Sequence, residues 1–160
     1  MIKPTLKIEY TYFLILIFVL IWCLLILTAP FLASQQLKLQ SAFIYLFFSK
    51  ICHQQPDRSF FIWGKQFAVC VRCSGLYFGF LIGTLLFPLV RSFKNFNQHR
   101  RYLFFIAVIP ITIDLLLTIF RIWQNTFFSR FGTGLFLGTV VALFVIAGIC
   151  NLRREMKYTR

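Results

Sequence analysis

The sequence predicts an all-α integral membrane protein with four transmembrane helices plus a short interfacial or re-entrant helix. Three observations predict it. Of 160 residues, 59% are hydrophobic and 13% are charged, against roughly 45–50% and about 25% in ordinary soluble domains. Four apolar runs are long enough to cross a roughly 30 Å hydrocarbon core at about 1.5 Å per residue. The charge is lopsided as well, with 17 Lys and Arg against 4 Asp and Glu and a formal net charge of +13. Such hydrophobicity excludes intrinsic disorder. The basic residues fall mainly in short flanks of apolar runs, so no nucleic-acid partner is expected. The length suits one membrane domain over residues 1–160.

The first span covers about residues 12–33, with no charge between Glu9 and Lys38. A cleaved signal peptide is the competing reading, because Lys3 and Lys7 precede the run. Its apolar stretch is longer than a signal core, and no clean small-x-small cleavage pattern follows. Residues 42–51 are apolar but too few to span, which suits an interfacial or re-entrant helix. The second span covers about 70–90. The third covers about 102–121 and carries Pro110 and Asp114, and the fourth covers about 131–150.

Four spans place both termini on one side, together with the loop between spans two and three. That side holds Lys3, Lys7, Arg91, Lys94, Arg100, Arg101, Arg153, Arg154, Lys157 and Arg160. The other holds Lys38, Lys50, Arg58, Lys65, Arg72, Arg121 and Arg130. Ten against seven puts the termini in the cytoplasm by the positive-inside rule. The expected location is a bacterial inner membrane, with the flank charges beside anionic lipid headgroups.

The least membrane-like stretch runs from Cys52-His53-Gln54-Gln55-Pro56 through Asp57-Arg58-Ser59-Phe60, within a motif-bearing outer segment 42–73. Pro56 stops any entering helix, and Asp57 and Ser59 favour a turn or cap. Cys70-Val71-Arg72-Cys73 follows at the start of the second span. Cys52, His53, Cys70 and Cys73 make up the ligand set of a tetrahedral Cys₃His zinc site, of which a C-x₂-C hook is the usual half. Adjacent residues such as Cys52 and His53 rarely both reach one ion, so one of them can instead support or act beside the ligands. A second reading is thiol redox, since a C-x-x-C at a helix N-terminus with Arg72 between the sulfurs has a depressed thiol pKa. A third is a structural bridge from Cys52 to Cys70 or Cys73. Cys23 and Cys150 lie in apolar runs and read as packing residues.

The third span adds a polar stripe, with Asp114, Thr118, Arg121 and Asn125 on one helix face. An acid inside a membrane is a functional candidate by default. Asp114 and Arg121 are about 10 Å apart along the helix, so the partner of Asp114 is expected on another helix. Gly75, Gly79 and Gly83 form a small-residue ridge with Arg72 on the same face. Arg130, Gly134, Gly138 and Ala142 repeat it in the last span. Such ridges let membrane helices approach closely.

Connectivity brings Arg58, Arg72, Asp114, Arg121 and Arg130 to the membrane face that carries the cysteines. These arginines suit an anionic lipid headgroup or another small anionic ligand. No nucleophile–base–acid set is identifiable, so the sequence does not establish an enzyme. A structural or assembly subunit is the remaining alternative.

The motifs Cys52-His53-Gln54-x-Pro56-x-Arg58-Ser59-Phe60 and Cys70-x-Arg72-Cys73-x-Gly75-x-Tyr77-x-Gly79 resemble a family of small bacterial and archaeal multi-pass membrane proteins of unknown function. Asp114 and the 130–138 stretch also resemble its pattern, over roughly residues 45–140. The resemblance marks these residues as the ones that matter and implies no activity. The chain is also similar, more distantly, to quinone-linked disulfide-generating four-helix proteins with a C-x-x-C at a helix end. It departs from them in having no second cysteine pair in residues 121–130.

Overall fold

The computed structural model describes residues 6–91, 96–120 and 126–158. Among them are five α-helices: α1 (Leu6–Ser34), α2 (Lys38–Ser49), α3 (Val71–Arg91), α4 (Phe96–Ile119) and α5 (Phe127–Tyr158). Four stretches are long and apolar enough to cross a membrane, namely Tyr10–Ser34, Val71–Val90, Tyr102–Ile119 and Phe127–Cys150. The last begins ahead of the expected start at residue 131. Thr126 explains the difference, because its Oγ1 accepts from the Ser129 N–H at 3.2 Å as an N-cap. Arg130 therefore lies inside the first turn of α5 and not in front of it.

Helix α1 is apolar on all sides, as expected for a span. Val19, Cys23, Ile26 and Ala29 form its buried stripe, while Phe13, Ile17, Phe18, Ile21 and Leu24 are exposed. The Cys23 thiol donates to the Tyr77 carbonyl at 3.6 Å, a packing role. The helix ends where Gln36 turns left-handed with φ 61°. The Leu37 N–H then reaches back to the Leu32 carbonyl at 3.0 Å, closing a Schellman motif.

This turn sends α2 back along α1. Its 12 residues span about 18 Å, too short to cross a membrane. Near its far end, Phe48 is fully buried against Trp22, with ring centroids 5.4 Å apart. Trp22 lies roughly three turns before the end of α1, so α2 folds back against α1 over that length. Leu39, Phe43 and Leu46 remain exposed on its other side.

The segment between α2 and α3 contains an element that hydrophobic periodicity does not announce. A 3₁₀ turn over Pro56–Arg58 leads into a hairpin of β1 (Ser59–Ile62) and β2 (Lys65–Cys70). The strands pair antiparallel, with Phe61 opposite Gln66 and Ile62 opposite Lys65. Trp63 and Gly64, at φ 52° and 69°, form a two-residue connection of the type that needs positive φ at both positions. Phe67, Ala68 and Val69 of β2 are buried together with Ile26, Ala29, Phe48 and Cys52. The hairpin is thus anchored in the core formed by α1 and α2.

Helices α3 and α5 run parallel and meet at their backbones. A Cβ on Gly79 would fall 2.1 Å from the Leu135 carbonyl oxygen, and one on Gly138 would fall 2.1 Å from that of Leu76. Gly75, Gly83 and Gly134 meet backbone carbonyls of the opposite helix at 2.3–2.4 Å in the same way. The Thr139 hydroxyl crosses the seam to the Gly79 carbonyl at 3.0 Å. The two glycine ridges interlock, as their spacing predicts.

Candidate metal centre and adjoining pocket

The C-x-x-C pair straddles a junction: Cys70 ends β2 and Cys73 lies in the first turn of α3. Cys52 arrives from the loop after α2. Two glutamines hold that loop in place. The Gln54 side-chain amide donates to the carbonyls of Tyr45 and Ala68, at 2.8 and 2.7 Å. The Gln66 amide donates in turn to the Gln54 carbonyl at 2.6 Å and to Ser59 Oγ at 3.1 Å. Tyr45 adds a hydrogen bond from its hydroxyl to the Gln66 carbonyl. Gln54 adopts a left-handed backbone, φ 50°, and from there its own side-chain amide reaches Ala68 of β2.

The result is a group of three thiols. Cys52 Sγ lies 3.0 Å from Cys70 Sγ, which lies 3.6 Å from Cys73 Sγ. All three sulfurs fall within 4.8 Å of one another. Zinc–sulfur bonds of about 2.3 Å place the sulfurs of a tetrahedron about 3.8 Å apart, so the cluster has nearly the right size for one ion. Of Cys52 and Cys70, which lie outside the spans, Cys52 is the more thiolate-like. Hydrogen bonds from the Cys70 and Cys73 thiols, with the Cys70 N–H at 3.2 Å, hold its pKa well below the usual range. Cys70 moves the other way, raised first by its interaction with Cys52.

Of the four expected ligands, His53 is not a member of this group. It is exposed and lines the adjoining pocket. Successive residues of a non-helical loop point in different directions, and the inward turn that buries Cys52 leaves His53 outside.

The pocket has a volume of about 340 Å³. Cys70 and Cys73 contribute two of the three thiols to its wall, and Arg58, Arg72, Arg130 and His53 surround them. Arg72 Nη2 pairs with Asp114 Oδ2, a carboxylate that is 5% exposed. The partner of Asp114 thus comes from α3, one helix away. Ser129 donates to the other carboxylate oxygen, Oδ1, at 2.7 Å, a contact no sequence pattern marked. Thr118 donates to the Asp114 backbone carbonyl at 2.8 Å. Arg58 faces Asp57 at 3.5 Å, with both side chains solvated. Arg121 and Asn125 lie outside the described residues.

Four candidate spans, a short helix folded back on α1 and a cysteine-bearing hairpin define a multi-pass helical membrane protein. The chain belongs to the predicted membrane protein family DUF2085, whose sequence profile matches residues 52–144, from the first thiol of the cluster to beyond the α5 glycine ridge. It is similar to an uncharacterized protein of Methanocaldococcus jannaschii, 35% identical over 140 residues, covering 84% of this chain and 90% of the relative. It is also similar to an uncharacterized protein of Methanothermobacter thermautotrophicus, 31% identical over 99 residues, covering 60% of this chain and 85% of that one. No solved structure matches.

Proposed function

We propose that this protein is a membrane metalloprotein that holds one zinc ion between Cys52, Cys70 and Cys73, beside the Arg58, Arg72, Asp114 and Arg130 pocket. The supporting observation is the convergence of three sulfurs from a loop, a strand end and a helix start within 4.8 Å. An odd number of thiols cannot be consumed by disulfides, whereas soft thiolates suit zinc, which needs no redox partner. Three protein ligands leave a fourth position, the arrangement of catalytic rather than purely structural zinc. Cys70 and Cys73 turn that position toward the pocket, where His53 can occupy it or donate to its occupant. The excess of Lys and Arg on the terminal side supports a site on the outer face of the cell membrane.

The test is metal analysis of full-length protein purified in detergent without chelator. About one equivalent of zinc per chain is expected, falling to near zero in Cys70→Ser. Absence of stoichiometric metal, both as purified and after incubation with zinc, overturns the reading.

The 3.0 Å approach of Cys52 and Cys70 supports a second reading, a thiol–disulfide protein in which these two sulfurs bridge. Thiol trapping in cells distinguishes it: a reversible Cys52–Cys70 disulfide favours redox chemistry, and three thiols protected only when metal is present favour the metal site.

A further inference from the structure

The geometry points to the pocket beside the thiols as a binding site for a phosphate ester, one of whose oxygens takes the fourth coordination position of the metal. This rests on the metal reading above and adds the class of ligand.

The first ground is charge. Arg72 and Arg130 occupy the first turns of the parallel helices α3 and α5, where helix dipoles add positive potential and disfavour a cation. Arg72 is compensated by Asp114. Arg130 is half-buried, and among the described residues no acid pairs with it. Arg58, across the same pocket, has only the solvated Asp57 beside it, and such an exposed pair contributes little. With Asp114 beside Arg72 and Asp57 beside Arg58, Arg130 is the arginine of this pocket without an acid of its own among the described residues, and a phosphate ester supplies the anion that pairs with it.

The second ground is donor geometry. Arg guanidinium forks match phosphate oxygens in pairs. Arg72 Nε is buried without a partner, so this fork retains an unused donor after pairing with Asp114. The third ground is size. The volume of about 340 Å³ lies at the small end of organic-ligand sites, roughly 300–1,000 Å³. It exceeds what an inorganic anion needs and leaves room for an ester substituent. Location fits too, because a site at the start of the α3 span lies at headgroup depth. Two sources share this chemistry, a phospholipid headgroup and a soluble phosphate ester.

Cobalt substitution separates the possibilities. Full-length protein in nanodiscs of zwitterionic lipid is loaded with Co²⁺, whose intense sulfur-to-metal absorption reports the three-thiolate site and whose weaker visible bands report the fourth ligand. Inorganic phosphate is titrated in, with chloride at equal ionic strength as the control. In a second arm, the discs carry phosphatidic acid and no phosphate is added. A shift of the visible bands with phosphate supports a soluble ester, and a shift only in phosphatidic acid discs supports a headgroup. Either shift should fall at least tenfold in apparent affinity in Arg130→Gln and partly recover in Arg130→Lys. Sulfur-to-metal absorption with visible bands that respond to neither source, or that respond equally to chloride, overturns this inference and leaves the metal reading intact. Failure of the sulfur-to-metal absorption to appear overturns the metal reading, and this inference with it.

Discussion

Helices α3 and α5 meet at their backbones, whereas α4 joins the bundle through a narrow stripe and one buried carboxylate. Along the α3–α5 seam, interlocked glycines leave no room for a single added carbon. On α4, among residues 102–120, Ala107 and Asp114 alone are buried, while Phe105, Ile106, Ile109, Ile113 and Leu116 are exposed. The difference shows two ways of holding a helix in a bundle surrounded by hydrocarbon. Lipid is as apolar as Leu, so apolar side chains give little preference for a neighbouring helix over lipid. Close packing of small residues provides that preference at the seam. At α4 it comes from a charge that hydrocarbon cannot accommodate.

This contrast can be broken from either side. Asp114→Ala leaves the partly buried Arg72 without its carboxylate, which costs about 3 kcal/mol, the low end for breaking a buried pair. The expected outcome is a large fall in the thermal midpoint in detergent, and an unchanged midpoint would remove the ion pair as the tether of α4. Gly79→Val drives a side chain into the Leu135 carbonyl, and overpacking of this kind costs about 1–3 kcal/mol. Cysteines introduced on facing positions of α3 and α5 should then lose their cross-linking. Gln54→Ala removes two hydrogen bonds to backbone carbonyls, at about 1 kcal/mol each. It should weaken zinc retention against a chelator several-fold while leaving the helices intact by circular dichroism. The smallest effect has the opposite sign. Gly132 of α5 has open space around it, so Gly132→Ala should raise stability by up to about 1 kcal/mol through helix propensity. Gly138→Ala, only six residues on, should lower it.

The same contrast holds between the two helix-borne arginines of the pocket. Each enters from the first turn of a span, yet Arg72 has Asp114 and Arg130 has no acid among the described residues. One therefore belongs to the structural tether, and the other is the arginine on which the proposed ligand site chiefly rests.

Some of the site was legible in the residues alone. Three cysteines within 22 positions, the C-x-x-C and an acid inside a span are each unusual against an apolar background, so each stands out. His53 stood out for the same reason, but the direction of a loop side chain has no periodicity to predict it, and this one is exposed beside the thiols and not among them. Gln66, Ser59 and Ser129 are ordinary polar residues with no spacing to mark them, and their roles arise from carbonyls and carboxylates that other segments bring close. The hairpin was hidden because β2 is buried as a continuous apolar run, Phe67-Ala68-Val69, which has no two-residue alternation.

By itself, the sequence determined the membrane class, the number of spans and the α3–α5 seam, because hydropathy and glycine spacing are local properties that the bilayer reads one helix at a time. Only the tertiary structure decided which three sulfurs meet, that His53 is not among them, and that Asp114 belongs to Arg72. Those outcomes depend on how a short helix, a hairpin and two helix starts share one small volume, and no single segment encodes that arrangement.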